Sequence, residues 1–244
     1  MYFANSRQEG REVLIVANED AGSAERAAVD AAIAVLQREE PVELVYTRDR
    51  AHLDEVLGRR DGRRLVIAGG DGSLHAVVSA LHVRGELKDC HLSLLPLGTG
   101  NDLARGLDMP LDPRDAAEVV VSGRPQRMDL LVDDVGGVVV NAVHLGIGAR
   151  AADAAGALKP RFGRFAYPIG AMSSGIRTRG WRLDVSVDGK RVSEAGRRVL
   201  MVGLSNGPSI GGGMASVHPD AVPYDGQAEV VISHAVGPLA RIGY

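Results

Sequence analysis

The chain has 244 residues, 45% of them apolar and 24% charged, which is the composition of an ordinary globular protein with room for one large or two ordinary cores. Its 28 basic and 31 acidic residues leave a net charge of −3, which argues against a nucleic-acid-binding surface. A single cysteine, Cys90, excludes an internal disulfide and a cysteine-built zinc site, and it reads as core filler ahead of the apolar run 91–95. No stretch reaches the roughly 18–20 apolar residues needed to cross a bilayer, and the N-terminus lacks the apolar centre of a signal peptide. Cytoplasmic residence is therefore the expectation.

The first half alternates strand and helix signals. Apolar runs at 12–17, 42–46, 64–68 and 91–95 predict buried strands. Helical spacing predicts helices from a Ser23 cap to about Gln37, over 51–57, over 74–81 and after Asp102. Such alternation implies a parallel sheet covered on both faces. After about Arg127 the pattern becomes β-rich, with strands expected at 129–132, 138–143, 181–187, 199–204 and 229–233 and a helix over 162–176. Asp188-Gly189 is a hairpin signal, and Trp181 is expected in the core. The reading is an α/β N-terminal domain over 1–128 and a mostly antiparallel β domain over 129–244. The last residues, Pro238 to Tyr244, look like a helix that is only beginning, so the chain reads as truncated.

Two glycine loops carry the chemistry. Gly69-Gly70-Asp71-Gly72-Ser73 sits between a buried strand and a helix, where glycines allow close ligand approach and helix N–H groups can cradle phosphate. Asp71 beside phosphates is repelled by on the order of 4 kcal/mol per charge pair, and so belongs there only with a bridging Mg²⁺. A tight βα turn is the alternative for this loop taken alone. Leu97-Gly98-Thr99-Gly100-Asn101-Asp102 follows the next strand and opens another helix. Neighbouring parallel strands share one crevice at their C-terminal ends, so both loops can face one ligand. Asn101-Asp102 can also serve as a simple N-cap. No P-loop motif occurs, and Gly146-Ile147-Gly148-Ala149-Arg150-Ala151 is a poor dinucleotide match because no acidic strand end follows.

In this order the loops resemble the catalytic domain shared by diacylglycerol kinases, sphingosine kinases and bacterial lipid kinases, whose fold is of the NAD-kinase/diacylglycerol-kinase type. Gly69 to Ser73 is similar to the family's GGDG[TS] loop, and Pro96 to Ala104 to its P-x-G-T-x-N-D-x-A segment. Asn18 to Gly22 lines up with an N-P-x-S-G nucleotide loop, Thr47 with a threonine bordering the nucleotide, and Asp129 with an aspartate opening the second domain. The run Gly211-Gly212-Gly213-Met214, Pro219, Ala221 and Asp225-Gly226 resembles the family's late segment. The resemblance implies ATP in an interdomain cleft, touching Asn18, Gly22, Thr47, the loop Gly69, Gly70, Asp71, Gly72 and Ser73, and Gly98, Thr99 and Asn101. It implies catalytic Mg²⁺ in a network of Asp71, Asp102 and Asp129, and a structural Mg²⁺ at Asp225 with the carbonyls of Val222 and Gln227.

Departures from the pattern are specific. Glu19 and Ala21 stand where the first loop has proline and serine, Ala76 where glutamate is common, and Tyr224 where a common D-D-G has its first aspartate. The family's general base lies in a D-G-E motif beyond Asp225, and no such run occurs in these 244 residues. The implied activity is ATP-dependent phosphorylation of a lipid hydroxyl, with diacylglycerol leading, by an enzyme that docks transiently on the inner face of the membrane. Homodimerisation is compatible with the sequence. An NAD-kinase-like enzyme and a Mg-ATP-binding module without turnover are the alternatives. The seven histidines show no metal-ligand spacing, although His75 can reach a phosphate. Lys159 to Phe165 interleaves basic and aromatic residues and reads either as a membrane-facing segment or as a solvated helix start.

Overall fold

The computed structural model describes residues 2–3, 12–146, 180–193, 196–213, 216 and 218–234, with backbone alone at 2, 3 and 89. The expected helix over 162–176, the 159–165 segment, residues 147–151, Met214 and the terminal 238–244 lie outside these residues. Two compact units form: Met1–Asn141 with Val222–Gln227, and Ala142–Ala221 with Ala228–Tyr244. The division thus falls after Asn141, where the sequence reading divides after Met128. A short return segment also joins the first unit: the Asp129 N–H donates to the Pro223 carbonyl at 2.8 Å.

The first unit is built on a six-stranded sheet. Its strands are β1 (Tyr2–Phe3), β2 (Val13–Asn18), β3 (Val42–Thr47), β4 (Arg64–Gly69), β5 (His91–Pro96) and β6 (Gln126–Arg127), in the order β3-β2-β4-β5-β1-β6. All pairs are parallel except β1 with β6. Apolar residues dominate β2, β4 and β5, with Ser93 of β5 the buried polar exception, because both faces are covered. Leu14, Val16, Leu65, Ile67, Leu92 and Leu94 pack on one side against α2 (Arg50–Gly58) and α3 (Asp71–Val83). Val13, Ile15, Ala17, Val66, Ala68 and Leu95 pack on the other against α1 (Ser23–Leu36) and α5 (Pro113–Ser122). Each fully buried Leu or Ile contributes roughly 1.5–3 kcal/mol through removal of apolar surface from water.

Local signals set the helix ends. Asp49 caps α2 by accepting the His52 N–H at 2.7 Å, and this bond holds its carboxyl below the usual range. Asp112 caps α5 ahead of Pro113. Two expected starts are corrected. The N-cap of α1 is Gly22, one residue before Ser23, with the Gly22 N–H donating to Glu25 at 3.0 Å. Helix α3 begins at Asp71, three residues before the apolar spacing would start it, because Gly70 takes the cap and the Leu74 N–H reaches its carbonyl. The short α4 (Asp102–Gly106) follows Asn101.

At the opposite edge of this sheet, Arg60 is buried. It ion-pairs with Glu86 at 3.0 Å and donates to the Cys90 sulfur at 3.3 Å. Burial pushes the Cys90 thiol up to about 11, so it is an inert core residue. For Glu86, burial favours the neutral acid, but hydrogen bonds from Arg60 and Arg84 outweigh it and lower the pKa. Glu86→Ala leaves the Arg60 guanidinium uncompensated and should cost about 2–3 kcal/mol at neutral pH, less than for a fully buried pair because Glu86 retains some solvent contact. A depressed carboxyl contributes stability above its unfolded value and loses it as pH falls through the folded one. The gap between wild type and variant in urea melts should therefore narrow below about pH 4.5.

Beyond β6, hairpin β7 (Leu131–Val132)–β8 (Val138–Val139) still belongs to the first unit. The second unit holds an antiparallel sheet with β12 (Val199–Ser205) between β9 (Ala142–Gly146) and β13 (Glu229–His234). The Asp188-Gly189 turn is as expected, with φ of 51° and 75°, and it joins β10 (Ser186–Val187) to β11 (Lys190–Arg191). Three strand expectations shrink. The stretch 129–132 pairs only at β7, 138–143 breaks at Val140-Asn141, and 181–187 pairs only at β10 apart from a bridge between Trp181 and Val199. Trp181, expected in the core, is 37% exposed. The protein thus combines a parallel-sheet α/β unit with an antiparallel β unit. No helix among the described residues is long and apolar enough to cross a membrane.

Candidate active site

The carboxyl ends of β2, β3, β4 and β5 bring the two glycine loops and the Asn18 and Thr47 corners to one edge of the sheet. Gly70 and Gly98 meet backbone to backbone. A Cβ on Gly98 would lie 2.6 Å from the Gly70 Cα and 2.8 Å from Asn101 Oδ1, and one on Gly70 would lie 2.8 Å from the Gly98 Cα. Asn101 holds the second loop shut. Its Oδ1 accepts the Gly98 N–H at 2.9 Å, its Nδ2 donates to the Gly98 carbonyl at 2.8 Å, and its backbone is left-handed at φ 52°, a conformation asparagine tolerates.

Asp71 links the loops a second time. Its Oδ1 accepts the Leu103 N–H at 3.3 Å, which sets it beside the first turn of α4, where Asp102 is 9% exposed. Asp71 is also the first residue of α3, so its charge faces the positive end of that helix. The N–H groups of Asp71, Gly72 and Ser73 have no intrahelical carbonyl to bond and are oriented for an anion.

A cleft of about 230 Å³ lies alongside. Asn18, Thr47, Gly72 and Ser73 line it, above an apolar floor that includes Val16, Leu53, Ile67, Ala76 and Val77. Arg48, Asp49 and Arg50 line it as well. The sequence reading passed over these residues. A polar run directly after Thr47 was the available signal for the charged three, whereas the floor residues are indistinguishable from other core positions. Ala76 leaves the floor without the carboxylate that the family pattern often carries there.

Of the other expected site residues, Gly98 and Asn101 act beside Gly70, Thr99 is exposed at the loop tip, and Gly22 caps α1. Asp129 is joined to the return segment, accepting the Gly226 N–H at 2.7 Å. Asp225 Oδ1 accepts the Gln227 N–H at 2.9 Å, and the Val222 carbonyl accepts the Tyr224 N–H at 2.8 Å. His75 Nε2 lies 3.0 Å from the Val138 carbonyl, so that nitrogen is engaged with backbone.

Among the described residues no three His, Cys, Asp or Glu side chains gather as a metal-ligating group. The acidic donors at the starts of α3 and α4 are oxygens, from Asp71 and Asp102. That set fits Mg²⁺, which is commonly held by one or two carboxylates together with waters and substrate phosphates. Asp71 keeps one carboxylate oxygen outside its bond to Leu103.

Comparison with known proteins bears on the family and the fold. Residues 12–132 match the diacylglycerol kinase catalytic domain, and residues 141–242 match the YegS C-terminal NAD kinase beta sandwich-like domain. A protein of Xanthomonas oryzae pv. oryzae (strain MAFF 311018) named "Probable lipid kinase YegS-like" is 35% identical over 181 residues, 70% of this chain and 56% of that protein. One of the same name from Stenotrophomonas maltophilia (strain K279a) is 31% identical over 174 residues, covering 69% and 55%. The chain thus spans little more than half the length of these curated relatives. A crystal structure described as a diacylglycerol kinase from Bacillus anthracis strain Sterne superposes with a TM-score of 0.74 at 21% identity, covering 96% of this chain and 78% of that one, which speaks to the fold alone. With both consecutive domain patterns matched, the chain belongs to the diacylglycerol kinase catalytic domain family.

Proposed function

We propose that this chain carries the nucleotide site of a lipid kinase, which transfers the γ-phosphoryl group of ATP to a lipid hydroxyl, with diacylglycerol as the leading substrate. The observation that carries the reading is the backbone contact of Gly70 with Gly98. It sets a helix N-terminus, two carboxylates and a polar-rimmed cleft side by side.

The apolar floor under Ala76 and Val77 suits a purine, and Asn18 and Thr47 supply polar edges. The N–H groups at the start of α3 would receive the phosphates. Asp71 and Asp102 would hold Mg²⁺, which when bound neutralises charge developing on the transferred group. In the transfer the lipid oxygen bonds to the γ-phosphorus, the bond to the ADP oxygen breaks, and the hydroxyl proton passes to a base. Positioning and charge neutralisation supply most of the acceleration in such reactions. Asp129 is proposed to complete the acidic network, and Asp225 with the Val222 and Gln227 carbonyls to hold a second Mg²⁺. A lipid substrate implies transient docking on the cytoplasmic face of the membrane.

Isotope-labelled ATP offered with diacylglycerol micelles or with NAD tests the assignment. Label in phosphatidic acid is expected from a protein that also supplies the D-G-E base, which these 244 residues do not contain. Label in NAD alone would overturn the lipid reading in favour of an NAD-kinase-like enzyme. Saturable Mg-ATP binding with no labelled product from any hydroxylated lipid would identify a binding module.

A further inference from the structure

The turn from β2 into α1 leaves the cleft at Asn18, and its N–H groups from Glu19 to Gly22 are all engaged. Glu19 N–H donates to the Thr47 carbonyl at 3.0 Å, and Asp20 N–H to Asn18 Oδ1 at 3.1 Å. Ala21 N–H donates to the Asn18 carbonyl at 3.1 Å, and Gly22 N–H to Glu25 at 3.0 Å. The N–H groups of Ser23, Ala24 and Glu25 at the start of α1 have no intrahelical acceptor, as at the start of α3, so the turn itself contributes position and not donors. Its contribution depends on where the turn is held: Asn18 and Glu25 each hold a single N–H group of it, and a third side chain spans it.

Arg26, one turn into α1, reaches back over the turn. Its Nε donates to the Ala21 carbonyl at 3.1 Å and its Nη2 to the Glu19 carbonyl at 2.7 Å. Its guanidinium lies 4.3 Å from the centre of the Tyr46 ring, on the strand that ends in Thr47. One planar cation thus ties the turn after Asn18 to the strand that ends in Thr47, by two charge-assisted bonds and a stacking contact. The turn carries Glu19 and Ala21, neither of which restrains its own backbone as a proline would. The restraint is supplied from the helix instead.

We infer that Arg26 is a positioning residue for the nucleotide: it holds the turn from Asn18 to Gly22 at the spacing the cleft needs, without touching the nucleotide itself. This rests on the nucleotide reading of the cleft. Without Arg26 the turn must be ordered by the ligand, and binding weakens by the cost of that ordering.

The test uses the whole 244-residue chain and Mg-ATP as the probe. Arg26→Ala is expected to weaken calorimetric affinity about tenfold, while the ligand-free melting temperature falls by only a few degrees. Arg26→Lys should recover only part of the loss, since an ammonium cannot span both carbonyls and stack on Tyr46. Millimolar guanidinium ion should restore affinity to Arg26→Ala and leave wild type unchanged, a rescue that a general loss of stability would not show. Affinity of Arg26→Ala within about twofold of wild type, or a loss without rescue, would overturn the inference. Cleavage after Glu19 by a glutamate-specific protease gives a readout independent of the ligand. Arg26→Ala should accelerate it, and an unchanged rate would remove the brace. Wild type that fails to bind Mg-ATP while that cleavage still accelerates would defeat the nucleotide reading, leave the brace standing and end its assignment to nucleotide.

Discussion

Asp71→Asn is expected to lower Mg-dependent phosphoryl transfer by roughly 10²–10³-fold, the usual scale for removing one group that stabilises charge in a transition state. The substitution keeps the shape and a side-chain oxygen that can still accept the Leu103 N–H, so the contact between the loops survives. It removes the charge, and with it the proposed hold of a carboxylate on Mg²⁺ beside the start of α3. The melting temperature should move by only a few degrees, since the lost interaction with the start of α3 is worth about 0.3–1 kcal/mol. Initial rates with diacylglycerol micelles over a range of Mg²⁺ concentrations measure the effect. A variant within about threefold of wild type at every Mg²⁺ concentration would show that Asp71 serves loop geometry alone.

The second large effect is expected at Gly98, through packing. A methyl group there would sit 2.6 Å from the Gly70 Cα and 2.8 Å from Asn101 Oδ1, and neither neighbour is the free end of a flexible side chain. Ordinary carbon contacts begin at about 3.5 Å, so Gly98→Ala must drive the two loops apart by about 1 Å. Overpacking of this kind costs about 1–3 kcal/mol in stability. A 1 Å misplacement in a catalytic arrangement can cost about 10²-fold in rate, so function should fall further than stability. Gly72 provides the internal comparison. Nothing lies within 4 Å of a Cβ built there, so Gly72→Ala should melt with wild type. Thermal melts of both variants, with and without Mg-ATP, separate the cases. A Gly98→Ala protein that binds Mg-ATP as wild type does would mean that the contact between the loops is unimportant to the site.

These predictions divide between what can be read along the chain and what cannot. Largely apolar runs at β2, β4 and β5, broken only by Ser93, announced a sheet buried on both faces, because a strand has only two faces and here both are mostly apolar. The order of strand, glycine loop and helix, met twice, announced two loops at one edge, and Leu97 to Asp102 carried the family resemblance. The Asp188-Gly189 turn was legible for the same reason: a two-residue reversal with positive φ has few sequence solutions.

Other features depend on partners distant in sequence. Trp181 reads as a core residue by type, yet it is 37% exposed, and among the described residues its backbone bridges to Val199 alone. The return of 222–227 to the first unit rests on bonds to Asp129 across 97 positions, which no local pattern encodes. Arg26 looks like any exposed arginine of an amphipathic helix until its reach to Glu19, Ala21 and Tyr46 is seen. The sequence by itself determined the kind of fold, the two glycine loops and the carboxylates they bear, because those follow from periodicity, turn chemistry and charge within a few neighbouring residues. Only the tertiary structure decided that Gly70 and Gly98 touch, that Asp71 bonds into the next loop, and that the turn after Asn18 has spent its N–H groups. Each of those facts is a distance between atoms that folding alone brings together.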